Sequence, residues 1–169
     1  MKKEIKIWVI TDTHFNHKKL IEYGRPKDFE NQLRNNLKKV VSKDDILIHL
    51  GDVCIGQDEE HNNWFKKELG CKTWLLIGNH DNKSTTWYLN NGWDAVMEKM
   101  SICIHSKNVA LSHYPLAWDG YYDVNIHGHF HDTDKRRQLD FMDVMNGYNK
   151  LLAVEHTEYK PVLLSNFIK

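Results

Sequence analysis

Two hydrophobic periods alternate along the first half of the chain. Ile5 to Ile10 is a short apolar run rich in β-branched residues that stops at a polar cluster, the pattern of a strand. In "DFENQLRNNLKKVV", Phe29, Leu33, Leu37, Val40 and Val41 recur at helical spacing, with Pro26 just ahead and Asp28 as N-cap. "DDILIHLGD" predicts a second strand, and "KTWLLIGNHD" a third. Between them "EEHNNWFKKELG" predicts a helix with Trp64, Phe65 and Leu69 inward and Gly70 closing it. "STTWYLNNGW" reads as a helical turn capped by Ser84. Strand, helix, strand, helix, strand implies a largely parallel sheet with helices on its faces. The second half differs. "SICIHSKNVALSHYP" predicts a hairpin turning at Ser106-Lys107-Asn108, while "VNIHGHFH", "FMDVMN" and "KPVLLSN" read as further short strands. Pro161 puts the last of these at a strand start or a sheet edge. The pattern is mixed α/β, and with no linker, repeat or low-complexity tract it predicts one domain over residues 1–169.

Polar residues collect where the predicted strands end. The first strand runs into Asp12-Thr13-His14, the second into Asp52, and the third into Asn79-His80-Asp81. The second hairpin strand ends at His113, and the next in His127, His129 and His131. The carboxyl edge of an open α/β sheet is where ligands bind. Gly51, Gly78 and Gly128 each precede one of these residues, and glycine permits a sharp turn or close backbone approach at a strand end.

Composition narrows the classes of function. Lys+Arg and Asp+Glu are both 23, so the net charge is +0. That balance argues against long nucleic acid as the main ligand and leaves only a local basic groove open. No stretch approaches the roughly 18 consecutive apolar residues of a membrane span. The opening "MKKEIKIWVITD" turns polar too early for a secretory signal. Cys54, Cys71 and Cys103 have no paired spacing, so neither a disulfide framework nor a cysteine zinc site is predicted. A reduced, cytoplasmic protein is expected. The excess is in histidine, 11 of 169 residues.

Asp, Asn and His suit Mn, Fe, Zn, Co or Ni, whereas a pure Mg site favours oxygen almost alone. Two aspartates, an asparagine and at least four histidines exceed what one ion takes, and two ions sharing a carboxylate use that number naturally. Any one of these pairs alone is as well explained by a surface turn or a cap. The ordered set is far more specific.

That set, Asp12-x-His14, Gly51-Asp52, Gly78-Asn79-His80-Asp81, His113 and Gly128-His129-x-His131, resembles the signature of the calcineurin-like metallophosphoesterases. The resemblance implies two packed mixed β-sheets flanked by helices, a four-layer α/β sandwich, with a dinuclear site at the strand ends. It implies a first metal held by Asp12, His14 and His131, a second by Asn79, His113 and His129, and Asp52 bridging. His80 matches the family's catalytic acid. It further implies in-line attack by a metal-bridging hydroxide on a small phosphate ester, a nucleotide among the candidates. The chain departs from the pattern at Ile55, where many members carry a second aspartate after the Gly-Asp pair.

A phosphodiesterase is favoured, with a monoesterase or a nuclease of the same superfamily as alternatives. The remaining class is a non-catalytic metal-binding or protein-interaction scaffold, a reading that the retained Asp52, Asn79 and His80 oppose. Around the site, His17 and Arg25 are candidates for binding the substrate phosphate, Arg25 by a bidentate contact. Lys18, Lys19 and Lys27 read as a solvated face. Asp81 and His127 are candidates for supporting a ligand from behind, with a turn cap and a core histidine as the plain alternatives. Tyr114, Trp118, Tyr121 and Tyr122 lie between two ligand-bearing strands, either stacking on a base or packing a lid.

Overall fold

The first apolar runs form one sheet. In the computed structural model, which describes residues 4–131 and 148–168, β1 (Ile7–Ile10), β2 (Ile46–His49), β3 (Lys72–Leu76) and β4 (Ala95–Met97) run parallel. The last strand, β9 (Val162–Leu163), closes the other edge antiparallel to β1, giving the order β4-β3-β2-β1-β9. A second mixed sheet holds β5 (Lys99–Ile104), β6 (Lys107–Ser112), β7 (Val124–His127) and β8 (Asn149–Leu151) in chain order, with β5 antiparallel to β6 and the rest parallel. Helices α1 (Lys19–Glu22), α2 (Phe29–Val40), α3 (Asp58–Leu69) and α4 (Thr85–Asn90) sit in the first half, and a short α5 (Leu164–Phe167) ends the described chain. Two mixed sheets flanked by helices is the architecture the sequence predicts.

Alternation along the strands explains the layers. Ile10, Leu47 and Leu75 face Phe29, Leu33 and Leu37 of α2 and Phe65 and Leu69 of α3 in one buried cluster. Val9, Ile48 and Leu76 point the other way, into a second cluster with Val109, Leu111, Val124 and Ile126 of the facing sheet. The first sheet is therefore apolar on both faces, which is why its strands read as continuous hydrophobic runs. Its register is nearly level: Ile10 pairs with His49, and His49 with Leu75. The carboxyl ends of β1, β2 and β3 thus come out side by side.

Several local expectations shift. The hairpin turns one residue earlier than predicted, at His105 and Ser106, both with positive φ (50° and 61°), in a two-residue turn of the kind that matches strand twist. Pairing Ile104 with Lys107 keeps Ile102 opposite Val109 and Met100 opposite Leu111, all packed toward the other sheet. A turn centred on Lys107 breaks that match. β4 carried no strand signal, because three residues are too few for a period. Asp28 occupies the N-cap position, yet its carboxylate accepts from the Gln32 side chain rather than from a helix amide. Ser84 does cap α4, accepting from the Trp87 amide at 3.2 Å. Only Val162 and Leu163 of "KPVLLSN" are strand; Leu164 and Ile168, four apart, are both buried in the intersheet cluster and favour a helical turn. "FMDVMN" lies outside the described residues.

Candidate metal centre

Five strands deliver the predicted ligands to one place, and the backbone is bent to do it. Asp12 (φ 49°), His14 (46°), Asp52 (60°) and His129 (69°) all adopt the left-handed conformation, which costs an L-residue about 1–2 kcal/mol each and concentrates at functional sites. The β1–β2 pairing continues through these turns: the Asp12 amide donates to Gly51 O, His14 to Asp52 O and Phe15 to Val53 O, at 2.9–3.0 Å. On the other sheet the Gly128 amide donates to His113 O at 3.0 Å. The glycines allow close approach. A Cβ on Gly78 lies 2.3 Å from Asp52 Oδ1, and one on Gly128 lies 2.0 Å from Thr11 Oγ1 and 2.5 Å from Asp12 Oδ2.

Two groups of donor atoms result. In the first, His14 Nε2 and His131 Nε2 are 3.1 Å apart and each is 3.7 Å from Asp12 Oδ1. In the second, His113 Nε2 and His129 Nδ1 are 3.2 Å apart and lie 3.0 Å and 2.9 Å from Asn79 Oδ1. Asp52 Oδ2 stands between them, 3.5 Å from His14 Nε2 and 3.5 Å from His113 Nε2. His80 lies at the rim, its half-exposed ring 5.2 Å from that of His14 and its Nε2 3.9 Å from Asp52 Oδ2. Asp12-His14-His131, His14-Asp52-His80 and Asp52-His113-His129 each bring their ligand atoms within 4.8 Å of one another.

These groups fit cations. Asp12 Oδ1 is buried and has no hydrogen-bond partner among the described residues, although it faces two imidazoles. Burial by itself raises the Asp12 carboxyl, but the neighbouring histidines outweigh it and hold the group well below the ordinary value. Burial drives the His14 imidazole down to about 3. An ionised Asp12 carboxylate facing a neutral His14 ring is the protonation state that metal ligands need. The tautomer of His113 is also set: its Nδ1 donates to Leu50 O at 2.8 Å, which leaves Nε2 as a lone pair toward the second group.

Supporting contacts fall where the sequence placed some of them. Asp81 is buried and its carboxylate accepts from the amides of Asp52 (2.7 Å), Gly78 (2.9 Å) and Val53 (3.1 Å), tying two ligand turns together. His127 lies under the turn, its Nδ1 2.9 Å from Gly128 O and its ring against Phe130. His49 is fully buried; its Nδ1 accepts from the Gly51 amide, and its Nε2 bonds Thr13 Oγ1, between the two ligands of the first motif. His17 sits beside the first group, 5.3 Å ring to ring from His14 and 6.1 Å from His80. Lys18, Lys19 and Lys27 are exposed, as a solvated face requires.

Arg25 is not on an open rim. Its side chain is 3 % exposed, and the guanidinium donates to Asp12 O (2.9 Å), Thr13 O (3.3 Å) and Glu155 Oε1, which is 2.7 Å from Nη2 and 2.8 Å from Nε. Nothing along the chain marked Glu155, which stands in no motif and meets Arg25 only across 130 residues. Thr11 was passed over too; its hydroxyl donates to Asp12 Oδ2 at 2.6 Å and orients that carboxylate.

The calcineurin-like phosphoesterase family model matches residues 5–167, and the chain belongs to that family. An uncharacterised protein of Methanocaldococcus jannaschii, MJ1445, is 31% identical over 174 residues, covering 97% of this chain and 90% of its own. Protein AQ665 of Aquifex aeolicus, of unknown function, is 26% identical with a TM-score of 0.76, covering 98% of each chain. The Pseudomonas putida nuclease MPE is 20% identical with a TM-score of 0.49, covering 73% of this chain and 60% of its own. The family is one of metal-dependent phosphoester hydrolases, and the His/Asp groups here are of the kind that bind divalent ions. Among the described residues no helix is long and apolar enough to cross a membrane.

Proposed function

We propose that this protein is a phosphodiesterase that works with two divalent metal ions on a small phosphate ester. The observation that carries the reading is the position of Asp52, whose Oδ2 is equally far, 3.5 Å, from a histidine of each donor group. Asp12, His14 and His131 would hold one ion, Asn79, His113 and His129 the other, and Asp52 both. When bound, the ions supply Lewis acidity, neutralising phosphoryl charge and making water acidic enough to act near neutral pH.

The chain's own residues do the rest. His80 is held at its backbone by the bond from its amide to Asp52 Oδ1 at 2.8 Å, while its ring stays at the solvent edge. As imidazolium it would stabilise the developing charge or protonate the leaving alkoxide, the general-acid role that histidine fills most often. His17, 6.1 Å ring to ring from His80, would meet a phosphate oxygen. Beyond Asn79 and His113 a cavity of about 570 Å³ opens, lined also by Lys99, Ser112, Tyr114 and Leu116. That volume suits an organic substituent.

The test is hydrolysis of bis(p-nitrophenyl) phosphate by protein reconstituted with manganese, the ion expected to serve in vitro, beside a chelator-treated sample. Metal-dependent release is the expected result. Release from p-nitrophenyl phosphate but not from the diester moves the assignment to a monoesterase. Failure to take up metal at all overturns the reading in favour of a scaffold.

A further inference from the structure

We propose that Arg25 and Glu155 form a buried clamp that positions the first metal group, with Glu155 orienting His131 and Arg25 fixing both Glu155 and the turn that carries Asp12 and His14. The inference rests on the dinuclear reading for its meaning, and on contacts that stand apart from it.

His131 turns Nε2 toward His14 and Asp12, so Nε2 must be the lone-pair nitrogen if the ring is to act as a ligand. A neutral imidazole then carries its proton on Nδ1. Two groups meet Nδ1: Glu155 Oε1 at 3.3 Å and Arg25 Nη2 at 3.1 Å. Guanidinium has no acceptor, so a protonated Nδ1 can donate only to the carboxylate. Arg25 Nη2 already has acceptors in Asp12 O and Glu155 Oε1. The arrangement is therefore carboxylate, imidazole, ligand site in sequence, the device that fixes a metal-binding histidine's tautomer and ring angle.

Arg25 completes it from the other side. Its Nε and Nη2 both hold Glu155 Oε1, and its Nη1 and Nη2 reach the carbonyls of Thr13 and Asp12. Those carbonyls belong to the stretch whose Asp12 and His14 have φ of 49° and 46°. One planar cation thus ties the strained turn of the first motif to the histidine of the last, 117 residues away in the chain. Lysine cannot reproduce this fork. Arg25 and Glu155 are positioning residues, and their hydrogen bonds fall on the first group and the turn that carries it, at Asp12, Thr13 and His131. A cavity of about 320 Å³ lies behind His131, lined by Leu20, Tyr23, Gly24 and Tyr159 together with the clamp. It gives small anions a route to the place of a deleted carboxylate.

The experiment is a manganese titration of the full chain, followed by calorimetry and by the electron paramagnetic resonance spectrum of bound ion. It compares wild type with Glu155→Gln, Glu155→Ala, Arg25→Lys, His131→Ala and His113→Ala, each checked for folding without metal. Glu155→Gln and Arg25→Lys should reproduce the defect of His131→Ala in weaker form, lowering the affinity of one ion by about 10–100-fold and sparing the other. Acetate should restore part of the lost affinity in Glu155→Ala and none in His131→Ala. Wild-type affinity in Glu155→Gln, or a defect that matches His113→Ala, overturns the clamp. Should Glu155→Ala not fold, the Gln and Lys variants decide. Fewer than two ions on the wild-type chain overturns the dinuclear reading alone, because the match between Glu155→Gln and His131→Ala is scored separately.

Discussion

Replacing Gly128 by alanine tests how tightly the two sheets are locked at the site. The added methyl lies 2.0 Å from Thr11 Oγ1 and 2.5 Å from Asp12 Oδ2, over an ångström inside contact distance. Neither atom belongs to a flexible chain end: Thr11 and Asp12 are buried, and their side chains bond each other at 2.6 Å. The strands must separate, or that bond must break. Overpacking a well-packed interior costs about 1–3 kcal/mol, and a buried bond to a charged acceptor adds about 1.5–3 kcal/mol. The sum, about 2.5–6 kcal/mol, is a large part of a normal domain's stability of roughly 5–15 kcal/mol. At roughly 2–4 °C per kcal/mol for a chain of this size, the metal-free protein should melt about 5–24 °C lower. The assay is a thermal melt beside Gly24→Ala, whose Cβ meets nothing within 4 Å and which feels only its φ of +107°. Manganese affinity should fall in Gly128→Ala, because Asp12 Oδ2 also accepts from the His129 amide at 3.0 Å and so links a ligand of each group. A melt within 2–3 °C of wild type, with unchanged manganese binding, refutes the close-approach argument (~1 kcal/mol being the resolution of such shifts).

Asp81→Ala leaves the buried amides of Asp52, Gly78 and Val53 without their acceptor; at about 1–3 kcal/mol for each orphaned donor, a loss of at least 3 kcal/mol is expected in denaturant titration. His80→Ala should keep its metal content by elemental analysis and lose about 10²–10⁴-fold in turnover; normal turnover removes His80 from the mechanism. The Glu155 carboxyl, raised by burial, is brought by the His131 bond and the Arg25 charge to about 2 from an ordinary 4.5. A depressed carboxyl stabilises fully above its unfolded value and loses that contribution as pH falls through the folded one. The stability gap between metal-free wild type and Glu155→Gln should therefore narrow by roughly 3 kcal/mol from about pH 5 to pH 2. A gap that stays constant over that range rules out the depressed carboxyl.

The clustering of the candidate ligands and the layers were legible in the chain because both depend on short-range pattern. Strand period, helix period and the polar residue at each strand end are local, and the ordered Asp-x-His to His-x-His set adds the specificity that no single pair has. Level register in the first sheet then makes neighbouring strand ends meet, so Asp12, Asp52 and Asn79 converge without further information. The tertiary structure alone decided what surrounds them. Arg25 looked like a phosphate-binding residue beside the first motif, and only the approach of Glu155 from the far end of the chain turned its guanidinium inward. The hairpin turn moved by one residue because intersheet packing of Ile102, Val109 and Leu111 sets the register, not the turn residues. A ligand's identity is written in its own residue and neighbours. What orients it includes groups far along the chain, Glu155 against Arg25 across 130 residues among them, and such partners leave no period or motif in the sequence.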